Sequence, residues 1–186
     1  LKNYIGTHRS EQLDRLKELK RYYLADNNIK YREDKSDPYS ADNRIASDWA
    51  KYIAIFEQGY MLGNPVEYKN ENAEIQKQID QFSKQNNEKD HNVAIKTDLA
   101  IYGRAYEYIY AKEGLTELDS TSIDPENTFM VYDDSIERKP LFAVYYYQVK
   151  DDTKDTTKYQ AEVFTENLHY HMVLRSTDSG KSQIEE

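Results

Sequence analysis

The sequence predicts an α+β fold, N-terminal helices followed by an antiparallel β-meander, on three observations. Apolar residues recur at spacings of three and four between Leu13 and Tyr102, the period drops to two at Ala105, and turn signals then separate further short runs. No long apolar run interrupts this pattern. Leu141 to Tyr147 is among the longest and falls far below the roughly 20 residues of a membrane helix.

The first helix is expected from Ser10, a candidate cap, with Glu11 at its positive end and Leu13, Leu16, Leu19, Tyr23 and Leu24 on one side, to about Asp26. Asn27 to Asp42 is polar and contains Asp37 and Pro38, so it reads as a long exposed connection and a mobile arm. A second helix starting near Asp42 or Asn43 puts Ile45, Trp49, Tyr52, Ile53, Phe56 and Tyr60 on one broad stripe, and Gly59, Gly63, Asn64 and Pro65 mark its end. After an extended piece at Val66 to Tyr68, a third helix over Asn72 to Gln85 has only Ile75, Ile79 and Phe82 on its apolar side, which places it on the outside. The fourth runs from His91 to Tyr102 and stops at Gly103.

Ala105 to Ala111 alternates Tyr106, Tyr108 and Tyr110 against Glu107 and Ile109, a strand with one tyrosine face. Further strands follow at Leu115 to Ile123, Thr128 to Tyr132, Leu141 to Val149, Lys158 to Phe164 and Leu168 to Leu174. Asp124-Pro125, Asp133-Asp134, Asp151-Asp152 and Glu166-Asn167 supply the turns. By composition the chain divides into an N-terminal helix and polar connection at 1–42, an α+β core at 43–175 and a polar tail at 176–186. The start at Leu1 and the polar run Arg175 to Glu186 give the expectation of a piece excised from a longer protein.

With 186 residues, 38% hydrophobic, 32% charged and a mean hydropathy of −0.98, the chain is wetter than most compact domains. Its 18 Tyr, five Phe and one Trp supply the apolar surface that Leu and Val do not. The net charge is −9, and the excess of acid lies beyond residue 44, since residues 1–44 carry a small positive balance. Such a chain is not built to grip DNA or an anionic membrane through a basic face. Zero Cys removes disulfides, thiolate metal sites and cysteine nucleophiles, and suits a reducing cytoplasm.

Reactive constellations are sparse. Six scattered Gly form neither a phosphate loop nor a dinucleotide fingerprint, and no Ser-His-Asp arrangement can be picked out. His169 and His171 share a strand face and would bind a metal only with a third ligand such as Glu162 or Glu166, so a solvated polar face is the favoured reading. Asp133-Asp134 and Asp151-Asp152 resemble metal or acid–base pairs but sit where turns want Asp. Tyr106, Tyr108 and Tyr110, with Tyr145, Tyr146 and Tyr147, would serve as a stacking platform for sugars or single-stranded nucleic acid if a cationic groove ran beside them. None does, which favours packing or a subunit interface for Trp49, Tyr52, Tyr60, Tyr106, Tyr108, Tyr110, Tyr145 and Tyr147. No catalytic, cofactor or metal residue is assigned.

Four stretches carry a family resemblance. They are Leu16 to Leu24; Asn43-Arg44-Ile45-Ala46 through Trp49-Ala50-Lys51-Tyr52-Ile53 to Gln58-Gly59-Tyr60-Met61-Leu62-Gly63-Asn64-Pro65-Val66; Ile101 to Glu107 running into Ile109-Tyr110; and Ile123-Asp124-Pro125-Glu126 leading to Val131-Tyr132-Asp133-Asp134 and the strand at Val144 to Tyr147. In that order, across about residues 12 to 150, they resemble the portal proteins of tailed bacteriophages, of the type found in long-tailed phages of Gram-positive hosts. The resemblance implies the outer, wing-like α+β region of one subunit, with channel-lining helices and a motor-facing domain C-terminal to Glu186. It further implies a homo-oligomeric ring at a capsid vertex of the virion, assembled in the bacterial host cytoplasm, through which DNA is packaged and ejected. The implied partners are the terminase motor, scaffold and head-completion proteins, and DNA that passes without tight binding. ATP hydrolysis then belongs to the terminase and this chain is not an enzyme. Two other readings stand beside it: an aromatic-platform binding module for carbohydrate or single strands, and a metal hydrolase built on the acidic pairs.

Overall fold

A computed structural model describes residues 1–33, 39, 41, 43–111, 118–151, 156–175 and 184–185. The chain forms two compact units, Leu1–Ser122 and Ile123–Glu186. The helices α1 (Lys2–His8), α2 (Asp14–Tyr23), α3 (Trp49–Leu62), α4 (Ala73–Gln85) and α5 (Glu88–Tyr102) lie in the first unit with a two-stranded sheet of β1 (Tyr106–Ala111) and β2 (Leu118–Ile123). The second unit holds an antiparallel sheet in sequential order, β3 (Thr128–Tyr132), β4 (Pro140–Asp151), β5 (Thr156–Thr165), β6 (His169–Arg175) and β7 (Ile184–Glu185). The α+β expectation holds. Within the first unit α2 packs on both α3 and α5.

The first helix starts earlier than its sequence signals. Arg9–Leu13 is a π-helical segment joining α1 to α2, so Ser10 lies inside the helix, where its hydroxyl donates to the Thr7 carbonyl at 3.2 Å instead of capping. Ile5, His8 and Leu16 are its buried residues. His8 is almost wholly enclosed, and burial first, the nearby Arg104 charge second, hold its imidazole below the usual histidine range. Arg104 in turn donates to Gln12 at 2.8 Å.

α2 ends on Ala25, a non-glycine residue at φ +58°. The Asp26 N–H reaches back to the Arg21 carbonyl at 2.8 Å, the closing bond of a glycine-type cap. Side chains offset the strain. Arg21 pairs with Asp26 at 3.0 Å, the Tyr31 hydroxyl donates to the same carboxylate at 2.9 Å, and Arg21 also donates to Asn28 at 3.1 Å. The Tyr31 and Arg21 bonds hold the Asp26 carboxyl below its ordinary range. Within the expected polar connection, Asn28–Tyr31 forms a 3-10 turn, and residues 34–38, 40 and 42 lie outside the described residues.

α3 begins at Trp49, later than the Asp42 or Asn43 start its apolar spacing suggests. The preceding segment is tied to the α2 end instead: the Arg44 guanidinium donates to the Arg32 carbonyl at 2.6 Å and the Ser47 N–H donates to Asn27 Oδ1 at 3.2 Å. Gly63 ends the helix, where an added Cβ would lie 2.7 Å from the Gly59 carbonyl oxygen. Val66 to Tyr68 forms no strand; Gln76 of α4 donates to the Tyr68 carbonyl at 3.1 Å in place of a ladder partner. α4 is capped by Asn72, which accepts from the N–H groups of Glu74 and Ile75 at 2.9 and 3.4 Å, and no residue of it is buried, as its narrow stripe predicts. α5 starts three residues before His91 and ends on Gly103 at φ +69°, whose N–H donates to the Leu99 carbonyl at 3.0 Å.

The strands form two sheets rather than one meander. A 3-10 turn at Pro125–Asn127, capped by Asp124 through the Glu126 N–H at 2.9 Å, separates β2 from β3. In the larger sheet Phe129 pairs with Val144, Val144 with Val163 and Tyr146 with Ala161, all on the buried face. Val144 and Ala161 have 0% exposure. β7 closes the sheet, with Ile184 paired to Leu174.

Two helix ends supply opposite tests. Because an L side chain in the left-handed region costs about 1–2 kcal/mol, Ala25→Gly should raise stability and Gly103→Ala should lower it, each by about 1 kcal/mol. Urea midpoints check both, and Gly103→Asn should lose less than Gly103→Ala.

Candidate functional site

No reactive centre emerges from the described residues, so the candidate site is a set of aromatic surfaces. On α3, Trp49, Tyr52 and Tyr60 are exposed, together with Ile53 and Phe56. Trp49 and Tyr52 meet edge to face, ring centroids 5.7 Å apart at 87°. The helix is held from its other side. Ala54 is buried and the Lys96 ammonium of α5 lies 3.0 Å from Glu57, while the Thr97 hydroxyl beside Gln58 donates to the Val93 carbonyl of its own helix at 2.8 Å. Lys96 is only 8% exposed, and its ammonium keeps an anionic partner in Glu57. Sequence reading missed this pair; the signal available is a lysine on the inner face of a helix with a glutamate on the facing helix.

Tyr106, Tyr108 and Tyr110 share one half-buried face of β1, and the Tyr108 and Tyr110 rings stack at 5.2 Å. The Tyr110 hydroxyl donates to Asp119 of β2 at 3.1 Å. On the other side of β1, Glu107 meets His91 of α5 at 2.9 Å. The three consecutive tyrosines of β4 divide by strand alternation. Tyr146 enters the core against Phe129, whereas Tyr145 and Tyr147 lie on the opposite face with ring centroids 5.4 Å apart. Register places Glu162 beside Tyr145 and Gln160 beside Tyr147. Burial first, then the charges of Tyr147, Asp124 and Glu162, push the Tyr145 hydroxyl above its ordinary value. A groove for a polyanion needs cations beside its rings, and these rings have carboxylates.

The histidine pair has other employment. His169 stacks on Phe164 at 4.3 Å and its Nε2 lies 3.3 Å from Glu162, while His171 sits opposite Glu162 in register. Among the described residues no group of three or more His, Asp or Glu converges as a metal site. Asp133 organises its turn: it accepts from the Ser135 hydroxyl at 2.7 Å and from the N–H groups of Lys139 and Ser135 at 2.8 and 3.3 Å. Asp152, of the second acidic pair, lies outside the described residues. Among the described residues no helix is long and apolar enough to cross a membrane.

A family model described as "Phage portal protein, SPP1 Gp6-like" matches residues 2–186. The chain belongs to the phage portal protein family. It is also 24% identical over 160 residues to the portal protein of Bacillus phage SPP1, a match that covers 81% of this chain and 31% of that relative. It therefore spans about a third of the length of the curated relative it matches. The portal resemblance of the four sequence stretches is upheld.

The turn role of Asp133 is testable through pH. The Ser135 hydroxyl above all, then the Lys139 and Ser135 N–H groups, hold its carboxyl below the ordinary 3.8 against the opposing effect of burial. Its native pKa is lowered, so its contribution is present above pH 3.8 and is lost as the pH falls through the native value. Asp133→Asn should therefore lower the thermal midpoint at neutral pH, and the deficit should close in acid. Calcium or magnesium should leave the midpoint of the unmodified chain unchanged, because a bound ion would raise it by mass action.

Proposed function

We propose that this chain is the outer, wing-like α+β region of one portal subunit. The whole subunit builds a homo-oligomeric ring at one capsid vertex, and genomic DNA is packaged and later ejected through it. The observation that carries this reading is the family match along residues 2–186. The order of the four sequence stretches supports it independently of any single motif.

The role is structural. ATP hydrolysis falls to a separate terminase motor that docks on the ring, in keeping with a sequence that has neither a phosphate loop nor a cysteine nucleophile. Scaffold and head-completion proteins are the other partners, met first in the host cytoplasm and then in the virion. A net charge of −9 suits a protein that lets DNA slide past without holding it. In this arrangement Trp49, Tyr52, Tyr60, Tyr106, Tyr108, Tyr110, Tyr145 and Tyr147 act in packing or at the subunit interface.

Electron microscopy of the full-length subunit tests the reading. Closed rings with a central opening are the expected result, whereas monomers that persist at high concentration in the presence of scaffold would contradict it.

A further inference from the structure

His8 is 1% exposed, more enclosed than any other titratable side chain among the described residues. It stands at the C-terminal end of α1, whose other buried residue is Ile5. Directly after it comes the π-helical stretch Arg9–Leu13, and the next buried residue is Leu16 of α2. Such π segments inside helices are uncommon and concentrate at functional positions. Gln12 of this stretch accepts from Arg104 at 2.8 Å, and the Arg104 charge acts on His8. Glu11, one turn from His8 on its own helical stretch, is exposed to water. Two buried side chains, one of them ionisable, thus hold α1, and a π segment joins it to the rest of the unit.

We propose that His8 is an acid-sensitive latch: protonation of its imidazole releases α1, which swings about Arg9–Leu13 while the rest of the first unit stays folded. A neutral imidazole tolerates enclosure, whereas an imidazolium needs water or an anionic partner. The charge that acts on it is a guanidinium, of the same sign and unable to give up its proton. Release of α1 sacrifices the burial of Ile5 and His8 and leaves Leu16 in place, so it costs less than unfolding the unit. Burial first, then Arg104, lower the native value of His8 from 6.5, so the latch is fully closed above pH 6.5 and loosens as the pH falls through the native value. His91, in the same unit, responds the other way. It lies 2.9 Å from Glu107 and ties α5 to β1, and protonation strengthens its bond to that carboxylate. Acid therefore loosens α1 and keeps α5 in place. The latch does not depend on the portal reading.

Hydrogen exchange of this chain, followed by mass spectrometry and corrected for the intrinsic pH dependence of amide exchange, reads such an opening even when it is rare. Between about pH 7.5 and about pH 5, protection across residues 2–13 should fall by up to about thirtyfold, the factor by which proton uptake by a free imidazole of pKa 6.5 favours the open form. Protection across Glu88–Tyr102 should hold. In His8→Gln the ratio between the two pH values should be close to one, even where the substitution loosens α1 at both. Arg104→Gln, which removes the like charge and leaves His8 in place, should retain a smaller fall than the unmodified chain. Unchanged protection across residues 2–13, a fall in His8→Gln as large as in the unmodified chain, or a loss in α5 in step with α1 would each overturn the inference.

Discussion

The packing of α5 against α2, α3 and α4 is the constraint from which the first unit follows. Its seam with α3 is unusual in being polar, with Ala54 the buried residue of α3 and the Lys96–Glu57 pair beside it. A buried ammonium without a partner costs about 3–5 kcal/mol when both groups are sequestered, and less in this pair because Glu57 keeps half its surface in water. With the inner side of α3 used this way, its bulky residues have only the outer side left. An apolar exterior is thus a consequence of how the helix is anchored.

The tyrosines show how a chain short of aliphatic residues still builds a fold. Each ring removes apolar area from water while its hydroxyl keeps a polar contact, as Tyr110 does with Asp119 and Tyr31 with Asp26. Tyr146 alone among the three consecutive tyrosines of β4 enters the core, beside Phe129 and among Val144, Ala161 and Val163. Aromatic content therefore serves two ends, and strand alternation decides which ring does what.

Much of this was legible in the sequence because it depends on local chemistry. Asn72 and Gly103 mark helix ends through bonds to residues within four positions, and β3 runs from Thr128 to Tyr132 as its period of two indicates. The features that escaped depend on distant partners. Ser10 has the chemistry of a cap but sits inside a helix that starts at Lys2; Ile45 fits the α3 stripe but precedes the helix, because Arg44 and Ser47 bond to residues 32 and 27. Buried His8 and Lys96 look like surface residues until Arg104, Gln12 and Glu57 are in place. For the candidate surface, periodicity shows that α3 has one apolar stripe, but only its anchoring to α5 shows that the stripe faces outward.

The central claim concerns that orientation, and the chain carries its own reporter, since Trp49 is the single tryptophan. Iodide or acrylamide quenching of its fluorescence in dilute solution measures its access to water directly. An outward stripe gives red-shifted emission quenched nearly as efficiently as a free indole. Emission that is blue-shifted and protected at every dilution would mean that the stripe faces the interior of its own chain, and would contradict an outward-facing α3.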